Sequence, residues 1–205
     1  HEYNNIFEAL IFDKGYNDVA DQNMQARIRG AAVMHASNAF GMLPLSTGNK
    51  SELSVGYCTL YGDMCGGFAP ISDVYKTIVY ALAEYFNKKA KKELIPINII
   101  KKPPSAELAP DQKDDDSLLP YEILDPILYQ YIECYLGDFD EFKNTTNITV
   151  VKNWAETPNA KADYNRMIHL VDKSEFKRRQ SAIGIKVCSV AFGTGRRMPV
   201  VKKLK

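Results

Sequence analysis

Three side chains in the stretch from Leu45 to Thr77 are of the types that hold a metal-bound triphosphate: the Thr47 hydroxyl, the Glu52 carboxylate and the Lys76 ammonium. Mg²⁺ takes oxygen ligands, commonly one or two carboxylates together with phosphates, and a lysine offsets phosphate charge. The stretch, LSTGNKSELSVGYCTLYGDMCGGFAPISDVYKT, reads as a short apolar strand, a polar Gly turn, a short helix, a glycine-rich loop and the start of a second helix. Strand-to-helix turns of this kind offer backbone N–H groups and a helix N-terminus to an anion. Thr47 to Ser51 is not a Walker loop, because Asn49 separates Gly48 from Lys50 and the spacing G-x-x-x-x-G-K-[ST] fails. Alone, TGNKS is a turn with helix-capping character.

The elements that must position these groups follow from periodicity. Ile6, Phe7, Leu10 and Ile11 have helical spacing. Asp18 fits an N-cap with Asp21 in the first turn, and a helix is predicted to about Phe40, where Gly41 stops it. On that helix Arg27 and Arg29 point to different faces, so at most one meets a ligand, whereas Asn23 and Arg27 share a face at i, i+4. Met42 to Ser46 is apolar enough for a buried parallel strand. Asp73 is predicted to cap a helix with Val74, Ile78, Val79, Leu82, Tyr85 and Phe86 on its apolar face, decaying into the run Lys88 to Lys92. Ile95 to Ile100 is apolar and ends at Pro103–Pro104; residues 105–119 are acidic and short of apolar anchors, which predicts a mobile loop. Asp125–Pro126 reads as an N-cap followed by proline at the first helical position, with Ile127, Leu128, Tyr131, Ile132 and Tyr135 as the stripe. Gly137 to Pro158 has no clear pattern. Ala162 to Asp172 is helical with Met167, Ile168 and Val171 inward, Ser174 caps EFKRRQ, and the end is loop-like.

Lys76 lies in the first turn of its helix, where a cation opposes the dipole; it is a solvated lysine or a phosphate ligand. Tyr57, one turn beyond Glu52, is a core aromatic or a ring against a ligand. The acidic run Asp114 to Asp116 is solvated charge in its plainest reading.

Taken in order, NMQARIRG, TGNKSELxxGYCTLYGD, PPSAELAPDQKDDDSLLPY and EFKRRQ closely resemble the synthetase domain of glutamine-dependent NAD synthetases, over residues 18 to 200. The resemblance implies an α/β fold with a truncated doubly wound parallel sheet of the adenine nucleotide alpha-hydrolase type. It implies that the chain is helix-rich because the first strands lie upstream, and that residues 1–205 are the C-terminal portion of one synthetase domain. It implies ATP-dependent amidation of deamido-NAD to NAD through an adenylated nicotinate, with ammonia drawn from glutamine and no nucleophilic side chain. It places Thr47, Lys76 and Ser105 at ATP, and Asn23, Arg27, Glu52, Tyr57 and Lys177 at deamido-NAD, with Glu52 also a ligand of Mg²⁺. ATP and Mg²⁺ are the implied cofactors, and the implied assembly is a homodimer with the deamido-NAD site near the subunit contact. Ammonia-only relatives carry His and Lys where this chain has Phe176 and Leu60, and both departures point to the glutamine-dependent branch. The family's S-G-G-x-D-S phosphate loop and its glutaminase domain are absent from the 205 residues, so the chain alone is expected to be inactive.

Composition is consistent with these expectations. The length suits one domain that buries a core without staples. Charged residues are 25% of the chain with a net charge of +1, which argues against a nucleic-acid binder. The basic clusters Lys88 to Lys92, Arg178–Arg179, Arg196–Arg197 and Lys202 to Lys205 read as solvated surface. Cys58, Cys65, Cys134 and Cys188 form no C-x-x-C pair and, with three scattered histidines, no zinc spacing; free thiols in a reducing cytoplasm are expected. The two matches to the N-glycosylation pattern, at Asn144 and Asn147, are of a kind common by chance. No apolar run is long enough to span a membrane. The chain opens at His1 and is taken as part of a longer one. Two further functions compete: another amidotransferase of the ATP-pyrophosphatase class, GMP-synthetase-like or asparagine-synthetase-like, which NMQARIRG and PPSAEL argue against, and a non-catalytic nucleotide- or RNA-binding module.

Overall fold

Ile123, Leu124, Ile127, Leu128, Tyr131 and Ile132 recur every three or four residues, and in the computed structural model they line the buried face of the central helix. The structure describes residues 18–109, 111–193 and 195–200. In chain order the helices are α1 (Asp18–Phe40), α2 (Lys50–Val55), α3 (Lys76–Ala90), α4 (Ile97–Lys101), α5 (Tyr121–Glu133), α6 (Phe139–Thr145), α7 (Thr149–Ala155), α8 (Ala160–Lys173) and α9 (Glu175–Arg178). Two short strands, β1 (Phe68–Ala69) and β2 (Ile183–Gly184), pair in parallel with Phe68 opposite Ile183 and Ala69 opposite Gly184. A parallel bridge joins Leu45 to Phe68. The result is a helix-rich α/β arrangement with a small parallel sheet.

α5 packs on α2, α3, α7 and α8. Leu124, Ile127, Leu128 and Ile132 meet Phe142 of α6, Val151 of α7 and Tyr164, Met167 and Val171 of α8, all at most 1% exposed. Burying each such side chain favours folding by about 1.5–3 kcal/mol, so this cluster holds the helices that carry the site.

Several expected boundaries move. α5 starts at Tyr121, with Pro120 rather than Asp125 at its N-cap. Pro126 lies inside the helix, where it removes one main-chain hydrogen bond. α3 starts at Lys76 rather than after Asp73: the Asp73 carboxylate is turned inward to Lys50 Nζ at 2.9 Å and to the backbone N–H groups of Val187 and Cys188. The apolar face of α3 is present but uncovered, and no residue of this helix is buried. Met42, Leu43 and Leu45 are each more than half exposed, so the segment contributes one bridge instead of a buried strand. Gly137 to Pro158 holds α6 and α7, whose sequences hid because each buries only two side chains, Phe139 and Phe142, then Val151 and Ala155. Asp138 is the N-cap of α6 and accepts from Glu141 N–H at 2.9 Å. Residues 105–119 do have anchors: Leu118 and Leu119 are buried in the core beyond a 3-10 turn at Asp114–Asp116. Ser174 precedes α9 but does not cap it; its hydroxyl donates to Val55 O.

α1 reaches Phe40 as expected, with Asp18 inside the helix and not capping it, and Gly41 ends it in the left-handed region at φ 63°. Gly30 is its point of closest approach. A Cβ there would sit 2.9 Å from the carbonyl oxygens of Tyr61 and Gly62, so only glycine lets α1 lie on that loop. The helix expected around residues 6–11 and the basic tail lie outside the described residues.

Candidate functional site

The carboxylate at the centre of the site is held by its own helix. Asn49 Oδ1 accepts from Glu52 N–H at 3.0 Å, and Glu52 Oε2 accepts from Asn49 N–H at 3.1 Å, a capping box that fixes the first turn of α2. Glu52 Oε1 is left to meet Lys76 Nζ at 2.9 Å, with both side chains 19% exposed. Burial pushes the Lys76 ammonium down, but the Glu52 carboxylate beside it prevails and raises its pKa. The same ammonium lies over the rings of Tyr121 and Tyr80, at 5.5 and 5.9 Å. Tyr121 in turn donates to Asp114 Oδ2 at 2.8 Å, and burial raises the pKa of Asp114.

Beneath this pair lies a buried ion cluster. Lys50, wholly inaccessible, reaches Asp73 Oδ1 at 2.9 Å, Glu133 Oε1 at 3.0 Å and Val190 O at 2.7 Å. Burial pushes the Lys50 ammonium down, and the two carboxylates outweigh it, leaving its pKa above the ordinary value. The TGNKS lysine is thus a structural cation, engaged by Asp73, Glu133 and Val190. At the other end of α2, Gly56 adopts φ 70°, and a Cβ there would lie 2.2 Å from Ser174 Oγ. This contact brings α9 in, so that Lys177 Nζ donates to Gly56 O at 2.7 Å and Cys58 O at 2.8 Å.

A cavity of about 610 Å³ gathers these elements. Asn23, Thr47, Glu52, Tyr57, Lys76, Ser105 and Lys177 all line it, drawn from α1, the turn before α2, α2 and its exit, α3, the 105–119 loop and α9. Of the residues singled out from sequence, Arg27 alone stands outside it: its Nε donates to Leu60 O at 3.2 Å, and Arg29 lines the wall in its place. The signal was available, since Val19, Gln22, Asn23, Ala26, Arg29, Gly30 and Val33 repeat at helical spacing along the cavity. Asn23 Oδ1 accepts from Thr59 Oγ1, and Thr59 N–H donates to Asp63, whose pKa is raised by desolvation. The 105–119 loop forms a roof tied to α1 by Gln25 to Leu108 O, Arg29 to Glu107 O and Gln112 to Gln22. Asp63 and Gln112 lie in the quoted motifs but were not singled out there. Cys58 also lines the cavity, and burial pushes its thiol up to about 12, which disfavours the thiolate. The described cysteines are all free.

Among the described residues no three His, Cys, Asp or Glu side chains cluster to hold a metal. The donor set, Glu52 with Asp114 on the same wall, fits a cation that arrives with phosphates and keeps most of its ligands from them. In two of the basic clusters one arginine is drawn inward while its neighbour, Arg179 or Arg197, stays exposed. Arg178 is buried, paired with Glu175 at 3.0 Å and bonded to Ser54 O at 2.6 Å. Arg196 stacks over Tyr131 at 4.5 Å and donates to Ile132 O at 2.9 Å.

A short parallel sheet, a helical core and a cavity of mixed polar and apolar lining, with a carboxylate–lysine pair on its wall, define an α/β protein with one sizeable site. The profile of the NAD synthase family matches residues 1–181, and the chain belongs to that family. It is 53% identical over 184 residues to the glutamine-dependent NAD(+) synthetase of Acinetobacter baylyi, covering 90% of this chain and 32% of the relative. Its identity to the enzyme of the same name from Thermotoga maritima is 49% over 190 residues, covering 92% and 30%. The chain thus spans about a third of the length of these curated relatives. The solved glutamine-dependent NAD(+) synthetase of Cytophaga hutchinsonii superposes with a TM-score of 0.68 at 22% identity, covering 98% of this chain and 32% of that one, which shows a shared fold. No helix among the described residues is long and apolar enough to cross a membrane.

Proposed function

We propose that this chain is the C-terminal portion of the synthetase domain of a glutamine-dependent NAD synthetase, and that its cavity holds ATP and deamido-NAD for amidation. The observation that carries the reading is the convergence of Asn23, Thr47, Glu52, Tyr57, Lys76, Ser105 and Lys177, from six separate segments, on one cavity. The sheet is then a piece of a doubly wound one, and the family match does not favour a GMP-synthetase-like enzyme or a nucleic-acid module.

The chemistry needs an activated carboxylate, because a carboxylate is a poor electrophile until its oxygen is part of a good leaving group. The nicotinate oxygen of deamido-NAD attacks the α-phosphorus of ATP, the bond to the bridging oxygen breaks, and pyrophosphate leaves with that electron pair. Ammonia, released from glutamine elsewhere in the longer protein, then attacks the acyl carbon of the adenylate. The C–O bond breaks, AMP leaves, and the surplus proton passes to solvent. Lys76 and Thr47 serve the phosphates and Ser105 the nucleotide, while Asn23, Tyr57 and Lys177 hold deamido-NAD, with Arg29 on the wall where Arg27 was expected. The Lys76–Glu52 pair opens to admit the phosphates, releasing Glu52 to a cation or to the substrate. Mg²⁺, when bound, supplies charge neutralisation at the leaving pyrophosphate.

The 205 residues contain no S-G-G-x-D-S sequence, and turnover is read as a property of the longer, dimer-based, cytoplasmic protein. The test is NAD formation by that protein from deamido-NAD, ATP and either glutamine or ammonia, with xanthosine monophosphate as the competing acceptor. Deamido-NAD-dependent release of AMP and pyrophosphate is expected; amidation of the xanthine nucleotide instead would overturn the assignment.

A further inference from the structure

α2 and α3 begin side by side and present Glu52 and Lys76 to each other, yet α3 has no cap of its own. Its N-cap residue, Tyr75, makes no side-chain capping bond. The first two N–H groups of α3 are taken by residues from elsewhere in the chain. Lys76 N–H donates to Ser51 Oγ at 2.9 Å, and Thr77 N–H donates to Asp125 Oδ2 at 2.8 Å. The Thr77 hydroxyl adds a second bond to Asp125 Oδ2 at 2.7 Å, and the Ser51 hydroxyl donates to Asp125 Oδ1 at 2.5 Å. Asp125 is 5% exposed and both of its oxygens are engaged. One α5 carboxylate therefore joins the first turn of α2 to the first turn of α3. Within those turns Glu52 follows Ser51 directly, and Lys76 precedes Thr77 directly.

A carboxylate is suited to this place. Its two oxygens accept three bonds without offering a proton, and its charge favours a helix N-terminus. It also partly offsets the unfavourable placement of the Lys76 cation at that end. An asparagine of the same shape would turn an N–H group toward the Ser51 hydroxyl or the Thr77 amide.

We propose that Asp125 is a positioning residue for the phosphate-binding pair: through Ser51 and Thr77 it sets Glu52 and Lys76 against each other, and so determines the affinity for ATP, acting more weakly on deamido-NAD, which of the pair can meet only Glu52. This rests on the reading of the cavity as an ATP site.

The experiment is calorimetric titration of the full-length protein with ATP and Mg²⁺, and separately with deamido-NAD, for the wild type, Asp125→Asn, Lys76→Ala and the double variant. Asp125→Asn is expected to weaken ATP binding by about tenfold, the scale of one charge-assisted hydrogen bond, and deamido-NAD binding by no more than about twofold. In the Lys76→Ala background the same substitution is expected to change ATP affinity less than about twofold, because the residue acts through Lys76. Should Asp125→Asn not fold, Ser51→Ala, which removes the link to α2 and the acceptor for Lys76 N–H, replaces it with the same expected pattern. A purely structural role would lower the binding stoichiometry and leave the ATP dissociation constant unchanged; that result, or a full tenfold effect persisting without Lys76, overturns the proposal. Failure of the wild-type protein to amidate deamido-NAD would strike the functional reading instead, and the ATP titrations would still judge Asp125.

Discussion

Glu52 completes the cap of α2 with one oxygen and pairs Lys76 with the other. Glu52→Gln keeps an acceptor for the Asn49 amide and loses the charge. It should leave the melting temperature within a few degrees while cutting kcat/KM for NAD formation by roughly 100-fold, as the proposed role of Glu52 in holding a cation beside the phosphates requires. Unchanged kinetics would remove Glu52 from the site. Lys50 is the contrary case, a lysine inside a phosphate-loop-like sequence that serves the core. Lys50→Met leaves Asp73 and Glu133 buried without their cation and should destabilise the protein by about 3–5 kcal/mol in denaturant titrations. A cost below about 1 kcal/mol, the range of a surface pair, would mean the cluster is solvated.

At the scale of elements, α2 is a six-residue helix held at both ends, by the Asn49–Glu52 box and by Gly56 against Ser174. Gly56→Ala places a methyl within 2.2 Å of Ser174 Oγ in a left-handed backbone. It should lower stability by about 1–3 kcal/mol and, by shifting α9, weaken deamido-NAD binding through Lys177; a variant as stable and as tight-binding as the wild type would show that α9 is free to move. α1 was legible from its helical spacing and from Gly41 at its end, although Asp18 lies inside the helix and not at its cap, and the α5 stripe was legible from its apolar spacing. The start of α5 was not, because Asp125–Pro126 is a good helix-start signal locally and Asp125 is used as a cap for a different helix. Asp73 misled for the same reason: a carboxylate that could cap was drawn to a buried lysine 23 positions away in sequence, an event no local pattern records. α6 and α7 were missed because a seven-residue helix with two buried positions has too little periodicity to register. On the site, residues on helical stripes were readable, while Asp63 and Gln112 reach the cavity only through loops folded onto α1.

Across the whole molecule, near-neutral charge hides a strong internal arrangement, since Lys50, Arg178 and Glu175 are buried and paired. Burial pushes the Glu133 carboxyl up, but hydrogen bonds from Ser189, Lys50 and Tyr75 prevail and hold it below its ordinary 4.5. An acid depressed in the folded state contributes stability that is complete above its unfolded value and lost as pH falls through the folded one. The stability difference between wild type and Glu133→Gln should therefore be constant at neutral pH and shrink below about pH 4.5; a difference that grew on acidification would contradict the sign. The apolar face of α3, with Ile78, Tyr85 and Phe86 about half exposed, and the exposed Ile183, Ile185 and Val187 beside the sheet belong to the same scale, as surface that the helical core leaves uncovered.

The measurement that bears most directly on the central claim is calorimetric titration of deamido-NAD into the full-length protein, with NAD and GMP as controls, repeated for Asn23→Ala and Lys177→Ala. Selective binding of deamido-NAD that each substitution weakens by tenfold or so would establish the cavity as the substrate site. Equal affinity for GMP, or selective binding indifferent to both substitutions, would contradict it.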